Sequence, residues 1–480
     1  MSTFTTWLES DDQYKCVLLE VSVLDTTEKT LYFSSRPFNN SSNIYSPVLN
    51  GDSITIFEQM SLSNGSGNTI GDIELNNTDA ALDGHLGYVW SMRPCRLYFG
   101  DVRWNRSDFQ LIFDGITEDI GSRDRDVVNI TVRDKLQRLN VPLSETVLGG
   151  STQNKDALLP LTFGECFNIT PLLIDPATLK YQVHNGKIER VIEVRDNGVN
   201  VANTANVTAG TFVLTKQNFG LITASVQGDK NSTWNTNCAD MISYVVQNYG
   251  YSDTKFLSSE IDTANFTAYK ANNTSALGIY VDSSTTVLDV VSQLAASTGG
   301  QLVISQTGKL QLQKIDLSSS PTESITDKDI VLNSLQISQK LQVQGSFRVG
   351  YARNWTIQEQ LETNLSTKAK NILKKEFREV YAEDSTVKTN YKQLRETERI
   401  DTLLLKETDA STLANYMLNI YKTPRFVYQM QVVQRFLNVR LGTVVTLTHS
   451  RFGLSSGKIG QIISISRNYG TGLVTLEVLV

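Results

Sequence analysis

Histidine, cysteine and proline are all scarce in this chain, with three, four and nine residues respectively out of 480. His85, His184 and His449 stand far apart and form no HExxH or HxH pattern, so the zinc chemistry that such spacing supports is not expected. Cys16, Cys95, Cys166 and Cys238 lie roughly 70 to 80 residues apart without a CxxC pair. That density argues against a disulfide framework and gives no zinc ligand set, and a reducing compartment is expected during folding. Sparse proline leaves little room for long extended linkers. No apolar run approaches the roughly 20 residues of a membrane helix. The opening MSTFTTWLESDDQYK has no basic stretch followed by an apolar core, so neither a signal peptide nor membrane insertion is expected. An excess of positive charge is missing too. The 44 basic residues are outnumbered by 50 acidic ones, for a net charge of −6, which argues against sequence-independent gripping of nucleic acid. No GxxxxGK[ST] loop or GxSxG elbow occurs, and Gly65-Ser66-Gly67 lacks the βαβ context of a dinucleotide fold. The expectation is a protein without cofactor or metal.

What remains is globular: 40% hydrophobic and 20% charged residues, in a length that suits three or four domains. The first 143 residues read as strands almost throughout: CVLLEVSVLD (16–25), LYFSS (31–35), SITIFEQMSLS (53–63), GDIEL (71–75), CRLYFG (95–100), QLIFDGITEDI (110–120) and VVNITV (127–132). They are rich in β-branched and aromatic residues, and several alternate in period two. Asn50-Gly51-Asp52, Ser63-Asn64-Gly65 and Gly121-Ser122 supply turns between them. Many short strands of this kind fit a closed barrel or a sandwich, which hide strand edges. RDKLQRLNVP (133–142) then predicts a helical turn stopped by proline. KIERVIEVRDNGVNV (187–201) predicts a hairpin around Asn197-Gly198, and GLITASVQG (220–228) another strand.

Residues 235–250 and 285–300 change period. Cys238, Met241, Ile242, Val245, Val246 and Tyr249 fall on one helical face, as do Val287, Leu288, Val291, Leu294 and Ala295. A hairpin, QLVIS to LQLQKI, follows the second helix. Strands return at 335–355. The charged stretch near 356–400 interleaves acids with bases and reads as a solvated insertion or protruding arm, not a phosphate-binding patch. A helix with Leu413, Met417, Ile420 and Tyr421 in a stripe precedes strands at 426–433, 443–449 and 458–466 and a terminal LVTLEVLV. No repeat of 20 to 50 residues is evident.

The stretch FGECFNITP (163–171), followed by YQVHNG, raises the possibility of a Cys166 nucleophile with His184 as base. Its apolar surroundings favour Cys166 as a small buried hydrophobe, with His184 beside an Asn185-Gly186 turn. His85 is expected to pack or cap beside Trp90, and His449 to end a strand near Arg451. Glu74, Asp79, Asp83, Asp114, Glu118 and Asp119 could contain the carboxylate pair of a glycosidase, whose separation sequence cannot give. Their alternation with apolar residues reads as a solvated sheet face. Asn-x-Ser/Thr triplets at Asn129, Asn168 and Asn354 reflect a chain rich in these residues, since no secretion signal accompanies them. No catalytic, cofactor-binding or metal residue is assigned.

Several long stretches together resemble the tail hub proteins of tailed bacteriophages, also called baseplate hub or tail-tip proteins. They are LDGHLGYVWSMRPCRLYFGDVRWNRSDFQLIFDGITEDI (82–120), VVNITVRDKLQRLNVPL (127–143), LPLTFGECFNITPLLIDPATLKYQVHNGKIERVIEVRDNGV (159–199), LITASVQGDK (221–230) and LGTVVTLTHSRFGLSSGKIGQIISISR (441–467). The likeness rests on length and order, not on a chemical signature. It implies a mainly β, multidomain chain with α+β inserts and two hub-type β-barrel domains at its ends. The expected domains are 1–145, a first barrel; 146–230, β-rich; 231–330, small α+β; and 331–480, a second barrel carrying the charged insertion. It further implies a homotrimer in the virion, at the distal end of the tail, assembled in the bacterial host cytoplasm. Two similar barrels per subunit would adapt a sixfold tail tube or distal ring to a threefold tip. Implied partners are the distal tail or tube ring protein, a central fibre or spike and a tape measure protein, with DNA only passing through the lumen. Some relatives carry a peptidase or cell-wall hydrolase domain after the last barrel. This sequence ends at Val480 with a barrel strand, so no such activity is expected. A cell-wall hydrolase using paired carboxylates and a carbohydrate-binding receptor module are the alternatives.

Overall fold

The computed structural model describes residues 3–40, 42–62, 68–231, 233–393 and 397–480. The Ser63-Asn64-Gly65 turn and Gly65-Ser66-Gly67 fall outside them. The chain is mainly β and builds several sheets. It divides into two compact units, each of discontinuous segments: 1–138, 301–342 and 424–480 form one, and 139–300 with 343–423 the other. The spans 231–330 and 331–480 are therefore each divided between units, because the chain leaves the first unit and returns to it twice.

The first unit is organised by a 13-stranded sheet. Seven strands come from the start of the chain: Lys15–Leu24, Glu28–Ser34, Thr55–Gln59, Asn68–Asn76, Pro94–Asp101, Gln110–Asp124 and Val127–Arg133. Six come from later segments: Glu323–Ile325, Gln336–Lys340, Phe426–Val432, Val444–Leu447, Lys458–Asn468 and Val474–Leu479. The two sets meet where Thr55–Gln59 pairs antiparallel with Lys458–Asn468, Phe57 opposite Ser466. Period-two patterning accounts for the main core, since Val17, Leu19, Val21 and Val23 all point into it. The alternate residues Cys16 and Leu18 are buried as well, in a satellite cluster with Phe38, Tyr45 and Phe109. The first half of this strand is covered on both faces, so Cys16–Leu19 reads as a continuous apolar run, while Glu20 and Ser22 restore the alternation beyond it.

The second unit holds a five-stranded sheet in the order Val199–Asn200, Ile188–Asp196, Ile222–Asp229, Leu161–Ile169, Gly278–Val281. Asn197 and Gly198 both take positive φ, 45° and 87°, as a two-residue hairpin with an Asn-Gly turn demands. The helix Cys238–Asn248 begins at Asn237, whose side chain accepts from the Ala239 amide; Val287–Ala296 begins with a Thr286/Asp289 capping box. The first buries Cys238, Met241, Ile242, Val245 and Val246 of its expected face and the second Val287, Val291, Leu294 and Ala295, while Tyr249 and Leu288 are only half-buried and Val290 is buried as well.

The charged segment is not a protruding arm. It contains the helices Thr367–Leu373 and Ser385–Asn390, and the strand Arg378–Glu383 in a three-stranded sheet with Ser346–Tyr351 and Arg399–Asp401. Leu373, Phe377, Val380 and Ala382 are buried, and the helix Glu407–Tyr421 packs on this sheet. Enough apolar positions sit among the charges to anchor the segment. In that last helix the buried stripe is Ala410, Leu413, Ala414, Leu418 and Ile420, with Met417 and Tyr421 only half-buried.

Candidate functional site

Cys166 and His184 both lie in the second unit but form no catalytic pair. The thiol is buried, contacts the Phe163 carbonyl at 3.7 Å, and is pushed far up by burial, so it stays protonated. His184 has both ring nitrogens committed. Nδ1 accepts the Thr162 amide at 3.0 Å, which leaves the proton on Nε2, 3.5 Å from Asp229 Oδ2. A base that serves a nucleophile needs one nitrogen for its orienting carboxylate and the other for the nucleophile. Here a backbone amide occupies that second place.

Asp229 is the centre of this cluster. Tyr249 donates to it at 2.6 Å, Tyr244 at 3.1 Å and the Asn231 amide at 2.9 Å. Burial by itself pushes the Asp229 carboxyl up. The hydrogen bonds from His184 and Tyr249 outweigh that and hold it below the usual carboxylate range. Burial first, and the carboxylate beside it second, push the Tyr244 phenol up to about 12. The result is a satisfied polar knot that pins the strand Ile222–Asp229 to the helix Cys238–Asn248.

Gly164 shows what the FGEC stretch is for. It lies opposite Gly278 across the strand pair and takes φ 68°, and a Cβ there would run into the Leu277 carbonyl oxygen. Only glycine lets the two backbones approach this closely.

The six carboxylates from the first β region do not pair with one another. Asp114 is bound by Lys135 at 2.9 Å and Arg96 at 3.3 Å, and Glu118 by Arg133 at 2.7 Å. Glu74 accepts from Asn50, Asp83 from Asn77, Asp79 from the Ala81 amide and Asp119 from the Ile120 amide. Asp114 is buried, so it does not belong to a solvated face. The His85 carbonyl accepts the Trp90 indole at 2.9 Å, in line with the expected position beside Trp90, and His449, just past the strand Val444–Leu447, accepts the Arg451 amide on Nδ1 at 3.0 Å. Asn129, Asn168 and Asn354 are buried. Among the described residues no group of three or more His, Cys, Asp or Glu side chains could hold a metal. No helix among them is long and apolar enough to cross a membrane.

Two further features belong to the sheet of the first unit. At the meeting of its two strand sets, Arg467 is wholly buried. Its Nη1 donates to Glu58 at 2.7 Å, Nε to the Leu437 carbonyl at 3.1 Å and Nη2 to the Val439 carbonyl at 2.6 Å. Burial opposes the guanidinium charge, but the Glu58 carboxylate more than restores it. At the far end of the sheet lies Gln336–Lys340, paired on one side only, with Phe426–Val432. Every residue of this edge strand is exposed, and Leu332 just before it is 87% exposed. Sequence reasoning saw a strand here but had no sign that it would be an edge.

No protein-family model matches this chain, and no curated protein does. Solved structures do. A 43 kDa tail protein of prophage MuSo2 from Shewanella oneidensis is 12% identical, with 97% of this chain and 98% of that one covered and a TM-score of 0.43. A tail protein from Neisseria meningitidis MC58 is 10% identical, with 96% of each covered and a TM-score of 0.42. A chain in the virion of a native gene transfer agent particle is 12% identical over 72% of this chain and 91% of that one, TM-score 0.41. By their descriptions, the first two are tail proteins and the third is part of a virion.

Proposed function

We propose that this protein is a structural component of a phage tail, the trimeric hub at its distal end, without catalytic activity of its own. The observation that carries the reading is the sheet of the first unit. Seven strands from the start of the chain and six from its later segments stand side by side and join at Thr55–Gln59 and Lys458–Asn468. We read these two strand sets as the two hub-type barrels expected at about 1–145 and 331–480, with Glu323–Ile325 added to the second and 343–423 lying in the other unit. Three chains supply six, which is what a threefold tip needs to match a sixfold tube or distal ring.

The sequence resemblance supports the same reading, and so does the exposed edge at Gln336–Lys340. An edge strand whose residues are all exposed and whose outer side has no partner strand invites pairing, and a second copy of this chain is the occupant that a ring requires. A permanent ring would bury upwards of roughly 2,000 Å² per interface. The ring encloses the channel for genome ejection and carries the central fibre or spike, with the distal tail protein above it and the tape measure protein within reach. DNA passes through without being gripped, favoured by acidic groups along the lumen; a basic lining in an assembled ring would count against that. The β-rich 146–230 and α+β 231–330 regions lie between the barrels in the sequence. The site of action is the virion, after assembly in the host cytoplasm.

Mass measurement of the full chain at micromolar concentration is the direct test. A stable species of three copies supports the hub, and a monomer that does not associate even with its tail ring contradicts it. Zymography on host peptidoglycan checks the absence of catalysis, since clearing by the purified chain would overturn it.

A further inference from the structure

The second unit contains a cavity of about 500 Å³ to which the tail reading gives no role. Its lining comes from the strands Leu161–Ile169 and Ile188–Asp196, the Asn197-Gly198 turn and the helix Thr367–Leu373. That volume is in the range of small-ligand sites. Phe167, Leu365, Ala369, Ile372 and Leu373 give it apolar walls.

A local irregularity sets up the polar part of the lining. The register of Leu161–Ile169 against Ile222–Asp229 shifts between Cys166 and Ile169. Asn168, inside that bulge, takes φ 51°, which is uncommon for a residue other than glycine. Asn168 is only 4% exposed. Its Oδ1 accepts Arg195 Nη1 at 2.6 Å, which leaves its Nδ2 without a partner among the described residues, in a side chain that lines the cavity. A donor so placed is expensive to leave unmade.

The charges are unevenly matched. Arg195 pairs with Oε1 of Glu193, and Ser225 donates to the same oxygen at 3.3 Å, so this pair is neutral and Oε2 remains an acceptor. Arg378 donates to the Ala352 carbonyl at 3.2 Å. No acid lies within ion-pair distance of it among the described residues; Glu376 is held by Arg353 at 3.0 Å and Glu379 by Arg348 at 2.6 Å. The lining thus combines one uncompensated cation, one free amide donor, and acceptors on Glu193 and the exposed Asn200. A fatty acid would satisfy Arg378 and the apolar walls but would set its chain against Asn168, Glu193 and Asn200. A polypeptide end with an aliphatic last residue uses every group. Its carboxylate would meet Arg378, its last carbonyl Asn168 Nδ2, its last amide Glu193 or Asn200, and its side chain the apolar walls.

We propose that this cavity binds the free C-terminus of a partner polypeptide that ends in an aliphatic residue. The inference is independent of the hub reading, because it uses residues of the second unit alone.

Isothermal titration of the full chain with N-acetylated alanyl-leucyl-leucine tests it. Saturable binding is expected. The same peptide closed by a C-terminal amide should bind about tenfold more weakly or worse, and so should the free acid to Arg378→Gln, since each removes one charge-assisted contact. Ala369→Trp, which fills the cavity from a half-buried position, should abolish binding and leave circular dichroism unchanged. On the unaltered chain, a peptide with a diazirine on its last side chain should crosslink to Phe167 or within 365–373. No saturable binding, equal affinity for the amidated peptide, indifference to Ala369→Trp, crosslinks only elsewhere, or tighter binding of decanoate than of the peptide would each overturn the proposal. If Arg378→Gln fails to fold, the amidated peptide and the crosslinks still decide the matter. A monomeric chain that binds the peptide would sink the hub reading and leave this one standing.

Discussion

At the residue scale, the side chains that first suggest chemistry serve the scaffold, and the decisive ones are those that sequence does not flag. Cys166 and His184 attract attention because their types are rare and reactive. Asp229, the group that fixes the role of His184, ends a strand in which apolar Ile222, Ala224 and Val226 alternate with polar residues, and no spacing rule ties it to a histidine so far upstream. The Glu58–Arg467 pair is hidden for the same reason, since its members are separated by most of the chain. Removing one member leaves the other as an uncompensated buried charge. Glu58→Ala should therefore lower stability by about 3 to 5 kcal/mol in urea denaturation. Glu118→Ala, which breaks a surface pair with Arg133, should cost at most about 1 kcal/mol. Asp229 gives a pH signature. Its folded-state value lies below that of the unfolded chain, which is about 3.9. Its contribution is fully present above that pH and disappears as pH falls through the lower folded value. Melting temperature measured from pH 6 down to pH 2 should fall less steeply for Asp229→Asn than for the parent. Identical slopes would show that this carboxylate is not held as the geometry indicates.

At the element scale, strands and amphipathic helices with strong periodicity are legible, and so is the Asn197-Gly198 hairpin, because local chemistry alone decides them. The short helices Thr367–Leu373 and Ser385–Asn390 are not, although each has its cap in the sequence. Ser366 accepts from the Ala369 amide and Asp384 from the Val387 amide. One turn or two of helix carries too few apolar positions to show a period, and the surrounding charges hide those it has. Gly164 is an element-scale test. Gly164 and Gly149 have nearly the same φ, 68° and 69°, but a Cβ at Gly149 would meet open space while one at Gly164 would strike the Leu277 carbonyl. Changing Gly149 to alanine should cost about 1 kcal/mol, from the left-handed backbone alone. At Gly164 the same change should exceed that by about 2 kcal/mol or more. Equal losses in chemical denaturation would mean the close approach of the two strands is absent.

At the scale of the whole molecule, the β-rich character of both ends is plain from sequence, but their union in one sheet is not. The pairing of Thr55–Gln59 with Lys458–Asn468 joins strands that any linear reading assigns to different domains. Period-two patterning says which face of a strand is apolar and nothing about which strand lies beside it. The same limit hides the open edge at Gln336–Lys340, whose solvent-exposed residues are as compatible with a loop as with an interface. If copies of the chain meet there, Leu332→Lys combined with Ile337→Lys should shift a trimer toward monomer at micromolar concentration in sedimentation velocity. Circular dichroism should be unchanged, because both side chains already face solvent, 87% and 40% exposed. A trimer that resists this pair of charges would place the contact elsewhere. The most direct measurement of the central claim is an electron-microscopy reconstruction of the virion tail tip that contains this protein. The account predicts a threefold ring of this chain at the end of the tube, two β elements per subunit facing six positions above. Density for this chain with another symmetry, or away from the tip, would contradict it.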